Sequence, residues 1–202
     1  MTLGVADRLA LADLVHLYAA AVDDRRFDDV AQLFTDGAEL HLPHPPRALE
    51  PVRVVHGRSG VREALDALAG VHRTEHALVG EVYVAAPDPG YALGRVTCVA
   101  HHWTRRDAAA DGPVGAPVDV PIGAPIDDVV WHLRYDDEYL RTPQGWRIHG
   151  RAVTINAIER RPVSRLRAVP AAHPAAAVDS SASSTEPLRR RATRPGRLRG
   201  TP

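Results

Sequence analysis

The chain has 202 residues, 45% of them hydrophobic, and a formal net charge of zero at pH 7, a composition typical of one globular domain with or without a tail. All 25 basic residues are arginine, which excludes enzymes that need a Schiff-base or Walker A lysine, and the single Cys98 excludes an intrachain disulfide and a multi-cysteine zinc site. Neither a membrane-spanning apolar run nor a basic leader is evident, so we expect a cytoplasmic protein with no membrane partner.

Charge divides the chain unevenly. Residues 162–202 carry eight arginines and two acids, a net charge of +6, which leaves 17 arginines and 23 acids, or −6, on residues 1–161. The basic segment is rich in Ala, Pro, Ser and Arg and contains no aromatic residue. We therefore predict a globular domain over 1–160 and a disordered tail over 161–202. Without aromatic side chains between its arginines, the tail is not expected to bind nucleic acid.

The first third of the chain is predicted to be mainly helical. Apolar residues recur at every third or fourth position in three segments, and short alternating segments separate them. Ser59 is a candidate N-cap for the third helix. The predicted helices cover residues 5–21, about 26–34 and about 59–71, with short strands at 38–43 and 52–56.

Beyond the third helix the hydrophobic period changes to two, which is typical of β-strands. Four long strands are predicted at residues 75–86, 91–104, 129–141 and 146–159. The turn sequences PDPG and TPQG join the first to the second strand and the third to the fourth. Residues 105–128, rich in Pro, Gly and Asp, are expected to form a lid or a disordered insertion. Helices at one end of an antiparallel meander predict an α+β fold, with a cavity between the helices and a strongly curved sheet.

Three of the predicted strands each place one proton-handling side chain among apolar neighbours: His76, His102 and Tyr135. Asp23, at the end of the first helix, is expected to have a raised pKa because a helix C-terminus disfavours negative charge. It could act as a base or orient a histidine. Such a group suits the removal of a proton next to a carbonyl and proton delivery to a departing hydroxyl. The alternative is a purely structural role, in which the histidines pack in the core and Asp23 is solvated at the end of the helix.

Other chemistries receive less support from the sequence. Histidines lie three or four apart at 41 and 44 and at 72 and 76, and adjacent at 101 and 102, but no HExxH motif is present. No GxSxG motif exists, and Cys98 sits in the middle of a predicted strand without an obvious activating neighbour. We therefore expect neither a bound metal nor a cofactor.

Five segments occur in an order that resembles a known family: YAAAVDDRRFDDVAQLF, GRSGVREAL, RTEHALVG, HHW and RYDDEYLRTPQGWRI, within residues 5–158. They resemble the SnoaL-like branch of the NTF2-like superfamily, in particular the scytalone dehydratase-like proteins. The resemblance implies a cone-shaped α+β barrel with three N-terminal helices on a strongly curved, mixed, mainly antiparallel sheet. It matches Asp23, His76 and His102 to the family's aspartate and two histidines. Val22 stands where the family has a tyrosine, and Tyr18 lies one turn earlier.

The resemblance and the residues together predict a cofactor-independent acid–base enzyme acting on a small, largely apolar carbonyl compound of secondary metabolism. Dehydration is the preferred reaction, with cyclisation or isomerisation next. His76, oriented by Asp23, would remove the proton, and Tyr135 or His102 would stabilise the enolate and protonate the leaving hydroxyl. The residues expected to line the substrate site are Tyr18, Phe34, Val82, Trp131 and Leu133.

Two other functions remain open at this point. The chain could be the non-catalytic small subunit of a ring-hydroxylating dioxygenase, whose β subunit resembles this fold, or a ligand-binding or association module. A homo-oligomer, either a dimer or a trimer, is also expected, because association through the outer face of the sheet is common in the superfamily. Tyr83, Trp103 and Tyr139 are the aromatic residues predicted to be exposed there.

Overall fold

The computed structural model describes residues 2–106, 125–164 and 166. The predicted insertion, apart from its two ends, and the predicted tail beyond these residues lie outside the described part. In chain order the elements are α1 (Val5–Asp23), α2 (Phe27–Gln32), β1 (Phe34–His44), β2 (Ala48–His56), α3 (Gly57–Leu65), a 3-10 turn (Asp66–Gly70), β3 (Arg73–Ala85), β4 (Tyr91–Arg105), β5 (Ile126–Thr142) and β6 (Gly145–Val163).

The six strands form one mixed sheet in the order β2-β1-β6-β5-β4-β3. Strands β3 to β6 are the predicted meander, with antiparallel pairing throughout, and β1 pairs with β6 in parallel. The edge strands β2 and β3 leave the curved sheet unclosed. The arrangement confirms the predicted α+β class. No helix in the described part is long and apolar enough to cross a membrane.

The boundaries of the second and third helices differ most from the sequence predictions. Phe34, predicted as the end of the second helix, is the first residue of β1, where the Leu33 carbonyl accepts a hydrogen bond from the Ile148 backbone N–H. This pairing with β6 outweighs the local helical pattern. The third helix begins at Gly57, so Ser59 lies inside it rather than at its N-cap, and α-helical geometry ends at Leu65.

Helix α1 covers the inner face of the sheet. Its buried residues include Leu11, Leu14 and Val15, and they belong to the same apolar core as Val96 on β4. The side chains that point from the sheet toward this helix are therefore removed from water. Polar residues on the inner face need partners inside the protein or from a ligand.

A β-bulge reverses the side-chain phase of β3. Leu78 pairs with Cys98 but Gly80 pairs with Thr97, so one extra residue lies between them. After the bulge Tyr83 points inward and is buried, whereas Val82 is 65% exposed on the outer face. The predictions that Val82 lines the site and that Tyr83 is exposed are therefore wrong.

Tyr139 is also buried, contrary to the prediction, because it follows the inward phase of β5. Its ring contacts that of Tyr83, with 5.9 Å between ring centres. Trp103 is half-buried on the outer face, where its ring stacks on His101.

Candidate active site

Asp23 and His76 form a two-point contact between the end of α1 and the start of β3. The His76 Nδ1–H donates to Asp23 Oδ1 over 2.7 Å, and the His76 backbone N–H donates to Oδ2 over 2.8 Å. The side chain of Asp23 is 23% exposed and that of His76 is 8% exposed. Because the carboxylate accepts the Nδ1 proton, the lone pair of His76 Nε2 is free to accept a proton from a substrate.

The pKa of Asp23 is shifted in the direction opposite to the prediction. Burial raises it, but the hydrogen bonds from the ring and backbone of His76 and the attraction to the His76 ring together lower it below the usual value. The contacts with His76 therefore outweigh burial, and the raised pKa predicted from the sequence is wrong. Asp23 is ionised at neutral pH and can orient His76 and stabilise its protonated form.

His102 lies beside this pair and is almost fully buried. Its Nδ1–H donates to the Val129 carbonyl over 3.1 Å, and its ring centre lies 6.1 Å from that of His76 and 4.3 Å from that of Trp131. Burial, reinforced by repulsion from His76, lowers the pKa of His102 to about 4. At neutral pH the ring is uncharged, so its Nε2 can accept a hydrogen bond but has no proton to donate.

A second polar cluster surrounds Arg151, which the sequence analysis did not identify. Its guanidinium carbon lies 4.1 Å from the ring centre of Tyr18 and 4.2 Å from that of Tyr135. Nε and Nη2 donate to the two carboxylate oxygens of Asp137 over 2.8 and 2.7 Å, and the Tyr139 hydroxyl donates to the same group. Burial lowers the pKa of Arg151, but Asp137 raises it more, so the guanidinium stays charged.

The sequence did contain one signal for this cluster. Asp137 shares the inner face of β5 with Tyr135, and a carboxylate among buried residues requires a cationic partner. The sequence pattern does not identify Arg151 as that partner because β6 contains a bulge. Tyr139 pairs with Ile148 but Glu138 pairs with Gly150, so one extra residue lies in β6. That bulge turns Arg151 inward.

The predicted site residues fall into two groups on the inner face. Trp131 lies with His102, whereas Tyr135 packs against Tyr18, whose ring also contacts Phe34. Tyr135 is four residues beyond Trp131 along β5, a distance of about 13 Å. Leu133 is buried between them. In the described residues Tyr135 forms no hydrogen bond or ring contact with His76 or His102, so only an extended substrate could touch both groups.

The comparisons with known proteins agree with this fold. The sequence profile of the SnoaL-like domain matches residues 4–152, which is well over half of the chain. The chain belongs to the SnoaL-like domain family. It is also 29% identical over 150 residues to Rv2910c, an uncharacterised protein of Mycobacterium tuberculosis, covering 74% of this chain and 86% of the relative.

Solved structures resemble this SnoaL-like domain across most of its length. A Kribbella flavida protein, Kfla4162, is 26% identical, with a TM-score of 0.57 and coverage of 76% of this chain and 93% of that one. A candidate scytalone dehydratase from Novosphingobium aromaticivorans is 15% identical, with a TM-score of 0.58 and coverage of 84% and 97%. A type 3 hexachlorocyclohexane dehydrochlorinase from Novosphingobium barchaimii is 16% identical, with a TM-score of 0.56 and coverage of 83% and 97%. The last two similarities concern the fold alone.

Unsatisfied polar atoms in the SnoaL-like domain lie close to the two clusters. In the part of the chain that the structure describes, three buried side-chain polar atoms have no hydrogen-bond partner: Arg25 Nη1, Thr74 Oγ1 and Arg151 Nη1. The Thr74 hydroxyl contributes to the low pKa of Asp23 but lies outside hydrogen-bond geometry. Buried polar groups in folded proteins are nearly always bonded, so these three atoms are candidates to bond water or a polar ligand.

The opposite face of the sheet carries a separate groove of about 740 Å³, lined by residues that include Val82, Val84, Leu93 and Arg95. It is remote from the Asp23–His76 pair, on the other side of the strands. Within the described ranges, no group of three or more acidic, histidine or cysteine side chains is arranged to hold a metal ion.

Proposed function

We propose that this SnoaL-like domain is a cofactor-independent acid–base enzyme that removes a proton from carbon next to a carbonyl group. The observation that carries the proposal is the two-point contact of Asp23 with the ring and backbone of His76. It holds one tautomer of His76 in one orientation, with Nε2 available as the base. The ionised Asp23 stabilises the imidazolium that forms when the proton is transferred.

Dehydration is the preferred outcome. His76 Nε2 takes the α-proton, the C–H electrons form the enolate, and the enolate then expels hydroxide from the neighbouring carbon. Protonated His76 gives its proton to the departing hydroxide, so the products are water and an unsaturated carbonyl compound. A neutral His102 accepts a hydrogen bond from the substrate hydroxyl. Tyr135 and Arg151 bind the far end of an extended substrate.

Two structural relatives are named for eliminations, of water and of hydrogen chloride, which supports this choice. Return of the proton to another atom would give isomerisation, and attack by the enolate would give cyclisation at the same residues. We further propose a secondary-metabolite substrate and a homo-oligomer, a dimer or a trimer, formed through the outer face of the sheet, where Val82, Val84 and Leu93 are exposed.

The test is mass spectrometry of metabolite fractions from the source organism, incubated with purified protein in D2O. Wild type is expected to yield a compound lighter by one water, or an isomer that has gained deuterium. Asp23→Asn should slow the conversion by about 10²–10⁴-fold and His76→Ala by at least as much. His101→Ala, on the neighbouring strand and the opposite face, is the matched control and should retain full activity.

Full activity of Asp23→Asn would contradict the proposed role of the Asp23–His76 pair. The absence of any conversion by the wild type would contradict the enzyme proposal and favour a binding or subunit role for the domain.

A further inference from the structure

Two contacts hold the Arg25 guanidinium at the edge of the candidate site. Its carbon lies 5.8 Å from the ring centre of Phe27, and one nitrogen is bonded to the backbone. Nη2 donates to the Val71 carbonyl over 2.9 Å, just before the strand that carries His76. The guanidinium therefore bridges the end of α1 and the start of β3. Nη1 is buried and has no hydrogen-bond partner in the described residues.

The charge of Arg25 is not neutralised by a direct ion pair. Within the described ranges no carboxylate lies within 4.0 Å of its guanidinium, whereas Arg26 contacts Asp29 at 2.5 Å and Asp24 at 3.6 Å. Burial lowers the pKa of Arg25, although the charge of Asp23 opposes the shift. A partly desolvated cation without a bonded counter-charge is unfavourable until an anion reaches it.

The backbone of Arg25 ends helix α1. Arg25 is the one non-glycine residue in the described part with a left-handed conformation, at φ 60°. This region disfavours long L side chains and favours glycine or asparagine. At this position it closes the helix, because the Arg25 and Arg26 N–H groups donate to the Val22 and Ala21 carbonyls over 3.1 and 2.8 Å. The cap fixes the point at which the Arg25 side chain leaves the end of α1.

The position of the cation relates it to the reacting groups. Arg25 follows Asp23 by two residues, and its bond to the Val71 carbonyl holds the guanidinium beside the start of the strand that carries His76. An anionic oxygen bound by Nη1 would therefore lie close enough to His76 to belong to the same substrate molecule.

We propose that Arg25 anchors an anionic oxygen of the substrate, a carboxylate or a phenolate, through its free Nη1–H beside the Asp23–His76 pair. The inference rests on the proposed function and narrows its substrate class to carbonyl compounds that carry a negatively charged oxygen. Arg25 is then a specificity-determining residue, and an uncharged analogue of the substrate binds less tightly because the guanidinium is left unpaired.

The experiment compares benzoate with benzamide, which has nearly the same shape but no charge, by isothermal titration calorimetry on the full chain. Wild type is expected to bind benzoate at least about tenfold more tightly than benzamide. In Arg25→Gly the ratio should fall to about one. Glycine accepts the left-handed backbone, so this variant should fold at least as well, which thermal melting checks. Arg26→Gln, a change at the paired neighbouring arginine, should keep the wild-type ratio.

Equal affinity of wild type for the two probes would overturn the inference, as would a benzoate preference that survives in Arg25→Gly. The ratio is informative because a purely structural role for Arg25 would change both affinities alike. The proposed function fails separately, by full turnover of Asp23→Asn in D2O, which does not involve the two probes.

Discussion

Each face of the sheet carries a histidine–aspartate pair, but the two pairs have different surroundings. On the inner face His76 Nδ1 lies 2.7 Å from Asp23, and on the outer face His101 Nδ1 lies 2.9 Å from Asp128. Asp128 also accepts hydrogen bonds from Arg161 over 3.1 and 3.2 Å. Asp128 is therefore bonded to an arginine as well as to its histidine, whereas no arginine in the described residues forms an ion pair with Asp23. The pair by itself therefore does not define a catalytic site.

Adjacent residues of β5 show the same contrast for arginine–aspartate pairs. Asp137 points inward to Arg151, and both side chains are 0% exposed. Asp136 points outward to Arg95, and these side chains are 35% and 62% exposed. The separations, 2.7 and 2.6 Å, are nearly equal. Access of water, rather than distance, therefore determines how much the free energy of unfolding changes when one partner is removed.

The largest expected effect breaks the buried pair. Arg151→Met leaves the Asp137 carboxylate buried without a counter-charge, and we expect a loss of about 3–5 kcal/mol in the free energy of unfolding. The matched change on the outer face, Arg95→Met, should cost less than about 1 kcal/mol because water solvates Asp136. Urea denaturation followed by circular dichroism measures both. Losses of similar size would show that burial does not separate the two faces.

A smaller effect concerns the pH dependence of stability. The pKa of His102 is about 4 in the folded state and about 6.5 in the unfolded chain, so below pH 6.5 the unfolded state binds the extra proton. Above pH 6.5 the ring is neutral in both states, so its ionisation has no effect on stability. As the pH falls from 6.5 toward 4, the free energy of unfolding decreases by about 3 kcal/mol. Aspartates with lowered pKa values, such as Asp23, act mainly at lower pH.

The change His102→Gln should remove this slope even if it lowers stability at every pH. Unfolding free energies of wild type and variant at several pH values between 4 and 7 give the difference. Parallel curves for the two proteins would show that His102 is protonated as readily in the folded state as in the unfolded chain.

Sequence reasoning succeeded where strands are regular. Strand β4 pairs with β5 without a register shift, so simple alternation along it places His102 on the inner face. His76 precedes the bulge in β3 and is also assigned correctly. Asp23 is the last residue of a helix whose end the acidic sequence marks. Because alternation and helical period are local properties, one chain is enough to predict them.

Sequence reasoning failed where a bulge or a long-range contact intervenes. A single extra residue in β3 exchanges the faces of Val82 and Tyr83, and one in β6 turns Arg151 inward. Neither bulge has a signature in the hydrophobic pattern. The pKa of Asp23 could not be predicted either, because its direction depends on the contact with His76, which is 53 positions away.

The smallest expected effect tests the reversed phase of β3 directly. A Cβ added at Gly94 would lie 2.8 Å from Tyr139 Cε2 and 3.0 Å from Tyr83 Cδ1, so Gly94→Ala must displace two buried rings. We expect a loss of about 1–3 kcal/mol. Gly80→Ala, with no atom within 4 Å of the added carbon, should be neutral or slightly stabilising. Thermal melting compares the two. If Tyr83 pointed outward, as the unbroken alternation predicts, Gly94→Ala would be tolerated much better.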